Sequence, residues 1–169
     1  MSPAVDYIRE KARTYDFAQL EKRLHRSLDA TGAHLNELRQ DQADFKPSAA
    51  EWSVGEIIHH VTISMPGMLR ISDKLNRKQE FKRPMERSGM GITQHGRSVE
   101  ALRSDWDTMR KNLVPILAAF TPPLSTEAVF AHVELGPLNS MEWLALTYLH
   151  NQRHVSQIER VKSAAGYPM

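Results

Sequence analysis

Residues 52–75 read WSVGEIIHHVTISMPGMLRISDKL, and this stretch indicates how the chain folds. Ser53 is followed three positions later by Glu56, a capping-box pattern in which each side chain accepts a backbone N–H at a helix start. Apolar residues then recur every three or four positions as far as Leu75, the period of a helix that buries one face. The stretch therefore predicts a long amphipathic helix, with a kink or a break at Pro66, which lacks a backbone donor.

Three further segments show the same helical period. Leucines at this spacing follow Phe17, and a second stripe of apolar residues follows Ser98. A third stripe follows Asn139, which forms another capping-box pattern with Glu142. The predicted helices span residues 17–40, 98–120 and 140–165, and a shorter one spans residues 4–13. Together with the first stretch, these patterns predict an all-α protein, a four-helix bundle, with residues 1–169 in a single domain.

Two connections between the long helices are irregular. Residues 77–97 form a polar segment with several arginines and glycines that is long for a bundle loop, so we expect it to cross the bundle or to cover a site. Residues 129–133 read VFAHV. We interpret that run as a short extended piece or a loop, and we expect little strand elsewhere.

Composition narrows the classes of function. No apolar stretch approaches the roughly 18 residues that a membrane span requires, and the charged N-terminus lacks the apolar core of a signal peptide. We therefore expect a cytoplasmic protein with no membrane partner. The chain contains no cysteine, which excludes disulfides, a thiol nucleophile and thiolate metal ligands. Its net charge is +2 and its charges are interspersed, so we expect no nucleic-acid partner.

Three of the eight histidines have positions that suit a shared metal ion. His150 and His154 lie four residues apart in the last predicted helix, so both rings project from one face about a turn apart. His60 lies in the second long helix, and bundle cores bring side chains from facing helices together. His59 points about 100° away from its neighbour, and we expect it at the surface or between helices.

Imidazole is the side chain that most often binds metals in proteins. Three neutral rings without a fourth protein ligand leave a coordination position open to water or substrate, which is typical of catalytic sites. Zinc, nickel, iron and manganese all accept imidazole ligands, so the residue types alone leave the metal open.

Both histidine segments resemble those of the DinB/YfiT-like family. Trp52, Ser53, Glu56 and His60 match the start of that family's second helix. Residues 150–158 match its His-x-x-x-His-x-x-Gln-Ile ending. The resemblance implies a four-helix bundle with a three-histidine site for zinc or nickel, and a homodimer. It also implies, for some members, transferase or isomerase reactions that use low-molecular-weight bacterial thiols.

Two further residues are weaker catalytic candidates. Glu56 lies one turn before His60 and is a potential general base, although its role in the capping box is the stronger interpretation. Gln157 follows His154 by three residues and is a potential anchor for a water on the metal. Position 151 is asparagine, where the metalloprotease motif His-Glu-x-x-His requires glutamate, so protease chemistry of that type is disfavoured.

Two hypotheses from different classes follow. The first is a metal-dependent enzyme, a hydrolase or a low-molecular-weight-thiol transferase, in which the metal of His60, His150 and His154 activates water or a thiol against a small-molecule substrate. The alternative is a non-catalytic, stress-associated binding or interaction bundle whose metal is structural or absent.

Overall fold

Helices make up most of the described part of the chain. The computed structural model describes residues 3–81, 84–85 and 93–169. Its helices are α1 (Pro3–Thr14), α2 (Phe17–Asn36), α3 (Gln40–Asp44), α4 (Val54–Asn76), α5 (Val99–Ala118) and α6 (Ser140–Lys162), and its strands are β1 (Val129–His132) and β2 (Gly136–Asn139). Within these ranges no helix combines the length and the apolar character needed to cross a bilayer.

The four long helices form the predicted four-helix bundle. Helix α4 packs against α5 and α6, and α2 packs against the same two helices from the other side. Helix α1 lies along α6, and α3 contacts α4. A single cluster of buried apolar side chains joins these elements. The pair of α4 and α6 carries all three histidines of the predicted site.

Two capping boxes set the starts of α4 and α6, as predicted. Ser53 Oγ accepts the N–H of Glu56 at 3.2 Å, and the Glu56 carboxylate accepts the N–H of Ser53 at 2.8 Å. Asn139 and Glu142 make the same exchange at 3.0 and 2.9 Å. Because each box satisfies backbone donors that the first helical turn leaves unpaired, it fixes the residue at which the helix begins. The start of each helix in turn fixes on which turn its histidines lie.

Helix α2 ends at Asn36, before the predicted limit of Gln40. The guanidinium of Arg103, on α5, donates to the carbonyl oxygens of Asn36 and Leu38 at 2.9 and 3.2 Å. These bonds satisfy carbonyls that the end of a helix leaves free, and the chain then turns into α3. The apolar period of α2 could not predict this contact, because Arg103 lies about 65 residues later in the chain.

The two prolines inside helices do not divide them. Pro66 lies within the continuous helix α4 and Pro115 within α5. The sequence predicted either a kink or a break at Pro66, and the break is wrong. Helix α6 ends at Lys162, three residues before the predicted limit, and Gly166 follows with a φ of 84°.

Residues 129–139 form a β-hairpin, which settles the alternatives for the run VFAHV in favour of a strand. Strand β1 pairs antiparallel with β2, with Phe130 opposite Leu138. The indole Nε1 of Trp143 donates to the carbonyl oxygen of Phe130 at 3.1 Å and so fastens the hairpin to α6. Residues 77–97 were expected to cross the bundle or to cover a site. Part of this segment, residues 82–83 and 86–92, lies outside the described residues, so that expectation stays a prediction.

A reciprocal pair of buried serines holds α4 and α6 together at the far end from the capping box of α4. The Ser72 hydroxyl donates to the Ser140 carbonyl oxygen at 2.7 Å, and the Ser140 hydroxyl donates to the Ser72 carbonyl oxygen at 2.8 Å. Both side chains are fully buried, where an unpaired hydroxyl is costly. This clamp therefore fixes how the two histidine-bearing helices are positioned along each other.

Candidate metal centre

The packing of α4 against α6 brings His60, His150 and His154 together. The Nε2 atoms of His60 and His150 lie 3.2 Å apart, and those of His154 and His150 lie 3.3 Å apart. One ring nitrogen from each of the three residues lies within 4.8 Å of the others. The rings that the sequence placed on two separate helices thus converge on one point.

The three rings lie largely out of solvent. His60 and His154 are 8% and 6% exposed, and His150 is half-buried. Burial, with a smaller effect of His154 and His60, lowers the pKa of His150 to about 3. Burial, again reinforced by His60, lowers the pKa of His154 to about 4. Both rings are therefore uncharged at neutral pH, the state in which imidazole binds metals.

The spacing of the nitrogens suits a divalent cation. Zinc lies about 2.0–2.1 Å from imidazole nitrogens, so tetrahedral geometry places two such nitrogens about 3.3–3.4 Å apart. The observed separations of 3.2 and 3.3 Å agree with that value. A cation at the centre of the three rings would be within reach of one nitrogen from each of them. The residues present therefore fit a metal ion bound by three histidines.

Gln157 contacts the predicted site through His154. Its Oε1 lies 2.9 Å from His154 Nδ1, so the ring donates its Nδ1–H to the amide oxygen. That hydrogen bond leaves the Nε2 lone pair directed at the other two rings. The sequence analysis proposed that Gln157 holds a water on the metal. In the structure its side chain instead contacts a ligand ring, that of His154. A direct catalytic role for Gln157 stays a prediction.

We expect Gln157→Leu to weaken metal binding about 10- to 100-fold, the usual effect of removing a residue that holds a ligand ring. The ring of His154 would lose the partner that fixes its orientation and its tautomer. Competitive titration with a chelating dye measures the affinity. Gln152→Leu, at an exposed position on the same helix, is the matched control and should change the affinity less than about twofold.

The side chain of Glu56 is engaged in the cap. Its carboxylate accepts the N–H of Ser53 at 2.8 Å and lies 3.2 Å from Nζ of Lys46. Burial alone would raise the pKa of Glu56, but the Ser53 N–H and the Lys46 ammonium outweigh it and the pKa is lowered. None of its hydrogen bonds within the described residues reaches the three histidines. The contacts thus favour the capping role, and the catalytic role stays a prediction.

Two neighbours of the ligand positions point away from the cluster. His59 is half-buried and close enough to Asp105 of α5 to feel its charge, and burial and then the charge of Arg97 lower the pKa of His59. This agrees with its expected place between helices. Asn151 is fully buried, and its side-chain oxygen accepts a hydrogen bond from Thr31 of α2 at 3.1 Å. The position that bears glutamate in the metalloprotease motif therefore contacts α2.

Trp52, which the sequence analysis named only among the residues that resemble the family, packs against the site. The centroid of its ring lies 5.0 Å from that of His60 and 6.1 Å from that of His154, and the latter two planes are inclined by only 12°. The indole thus packs against two ligand rings, nearly parallel to that of His154. Trp52 precedes the cap of α4, outside any helical period, so its contact with α6 left no periodic signal in the sequence.

Comparisons with known proteins agree with this fold. The model of the DinB superfamily matches residues 23–158. The uncharacterized protein YuaE of Bacillus subtilis (strain 168) is 23% identical over 147 residues, which cover 78% of this chain and 90% of that relative. The crystal structure of TT2238, a four-helix bundle protein, superposes with a TM-score of 0.65 at 22% identity, covering 85% of this chain and 98% of that one. The structural likeness supports the four-helix bundle.

Proposed function

The chain belongs to the DinB superfamily, and on that premise we propose that it is a metal-dependent enzyme. His60, His150 and His154 hold one divalent cation, with zinc or nickel as the preferred metals. When bound, the cation supplies Lewis-acid chemistry that lowers the pKa of a water or a thiol towards neutrality. The substrate is a small electrophile, and the reaction is hydrolysis or transfer to a low-molecular-weight thiol.

The observation that carries this proposal is the convergence of three imidazole nitrogens, with no fourth ligand among the residues that the structure describes. Among the described residues, the cluster of potential ligand side chains contains His60, His150 and His154 alone. Structural zinc sites are closed by four protein ligands, whereas catalytic sites keep a position for water or substrate. The three-histidine set therefore favours catalysis over the alternative, a bundle with a purely structural metal.

The surrounding residues have distinct roles in this proposal. Gln157 holds the ring of His154 in the orientation that binds metal, and Trp52 packs against two of the rings. Glu56 secures the first turn of α4, one turn before His60. Because the chain has no cysteine, the thiol of a transfer reaction has to be a separate co-substrate. The protein positions its reactants, and it contributes no nucleophilic sulfur of its own.

The test uses protein prepared without a histidine tag and loaded with zinc or nickel. We expect the loaded protein to accelerate either the transfer of a small thiol to an activated aryl halide or the hydrolysis of an activated ester. The His150→Ala variant, treated identically, should show only the uncatalysed rate. A loaded protein that binds its metal stoichiometrically but accelerates neither reaction would favour the non-catalytic bundle.

A further inference from the structure

Arg153 is an exposed cation beside the metal centre that the protein itself does not neutralise. It lies in α6 directly before His154, and three residues after His150, which makes it a neighbour of that ring on the helix surface. Within residues 3–81, 84–85 and 93–169 it makes no hydrogen bond and no ion pair. Its positive charge acts on the two neighbouring rings: together with burial, which is the larger cause, it lowers the pKa of both His150 and His154.

Several basic side chains elsewhere on the bundle surface are neutralised by acidic partners. The guanidinium of Arg9 pairs with Glu142, that of Arg97 pairs with Asp105, and that of Arg110 pairs with Asp29. Arg153 lacks any acidic neighbour on its own helix, because the positions three and four residues away hold Leu149, His150, Ser156 and Gln157. The local sequence thus places a positive charge next to the ligands and supplies nothing to offset it.

The charge balance of the loaded site indicates what would offset it. Three neutral imidazoles leave the two positive charges of a divalent cation uncompensated, and Arg153 adds one more. A guanidinium presents a planar pair of N–H donors that match the two oxygens of a carboxylate. A small molecule that brings both a carboxylate and an anionic donor atom for the metal therefore suits this site better than a neutral one of the same size.

We propose that Arg153 binds the carboxylate of a small anionic substrate or co-substrate whose other donor atom reaches the metal. This inference rests on the proposed function and specifies its substrate class. Arg153 is a binding residue in this scheme, because it touches the substrate but not the reacting atoms. The exposure of the side chain means that it is free to turn towards an incoming carboxylate.

Two matched probes test the proposal, 3-mercaptopropionate and its neutral methyl ester. They share the thiol and differ in the carboxylate. Cobalt-loaded protein reports thiol binding through the absorption band that appears when sulfur binds the cobalt, so the readout is affinity and does not depend on turnover. We expect the wild-type protein to bind the acid about five- to tenfold more tightly than the ester, the effect of one partly exposed charged hydrogen-bonding pair.

The Arg153→Gln variant should lose this preference while its affinity for the ester stays unchanged. Arg160→Gln, an exposed position two turns further along the same helix, is the control and should keep the preference. Added salt should reduce the preference of the wild-type protein, since exposed charges are screened. Because residue 153 is exposed and unpaired, the substitution should leave the fold intact.

The outcomes separate this inference from the proposed function. If the ester binds but the acid gains nothing in the wild-type protein, or if Arg153→Gln retains the preference, the inference is wrong and the proposed function stands. If neither thiol binds the loaded protein, the thiol reaction and the inference fail together. Loss of the preference in Arg153→Gln alone is the result that supports the proposal.

Discussion

Replacing His150 by alanine should abolish stoichiometric binding of a divalent cation. His150 lies at the centre of the cluster, with its Nε2 at 3.2 Å from that of His60 and 3.3 Å from that of His154. Structural zinc sites bind with about 10–16 kcal/mol over four ligands, so removing one ligand costs on the order of 3 kcal/mol, or about 100-fold in affinity. The two remaining rings would then compete poorly with water and with buffer.

Elemental analysis of tag-free protein after dialysis against metal measures this result directly. The wild-type protein should retain about one equivalent of metal by the three-ligand argument, and His150→Ala should retain almost none. His25→Ala is the matched control, since it removes a histidine from α2 without touching the cluster. A double variant, His60→Ala with His150→Ala, that still binds one equivalent would show that the metal lies elsewhere.

Metal should also stabilise the fold, and the same variant should lose that effect. A ligand that binds only the folded protein and is present at 1,000 times its dissociation constant raises the free energy of unfolding by about 4 kcal/mol. The cation would join α4 and α6 near His60. The hydrogen bonds between Ser72 and Ser140 already join the same two helices near the end of α4 and the start of α6. A rise in the unfolding temperature with metal in the wild-type protein, and none in His150→Ala, would link the site to the helix pair.

The sequence predicted the bundle because the information for it is local. Ser53 and Glu56 lie three residues apart, and their exchange of hydrogen bonds needs no other part of the chain. The apolar period of each long helix is local in the same way. The spacing of His150 and His154 follows from helix geometry, and His60 joined them through the packing of α4 on α6, which the bundle and the family resemblance predicted together.

Features that depend on distant residues were not predictable in this way. Arg103 of α5 donates to a carbonyl oxygen at the end of α2. Trp52 contacts the ring of His154, which lies about a hundred residues later in the chain. The sequence also placed Gln157 beside His154 without showing that the two side chains bond to each other. In each case the spacing along the chain carries no signal, because the contact is decided by rotamers and by the packing of separate elements.

Replacing Trp143 by alanine should lower the free energy of unfolding by about 3–5 kcal/mol, the usual cost of removing a large buried aromatic side chain. Trp143 is fully buried in α6, and its ring lies 5.6 Å from that of His132 and 6.1 Å from that of Phe130. The change would leave a cavity and release the hairpin at once, because the indole also donates to the Phe130 carbonyl oxygen. Such a loss is a large share of the roughly 5–15 kcal/mol that stabilises a typical domain.

Urea unfolding followed by circular dichroism separates the two contributions of Trp143. Trp143→Phe keeps most of the apolar volume but removes the hydrogen bond to the Phe130 carbonyl oxygen, so the loss of that bond should cost about 0.5–1.5 kcal/mol. Val114→Ala, at a position that is 63% exposed, is the control and should stay within about 0.5 kcal/mol of the wild-type protein. If Trp143→Ala cost less than about 1 kcal/mol with an unchanged dependence on urea, the hairpin could not be fastened to α6 through this side chain.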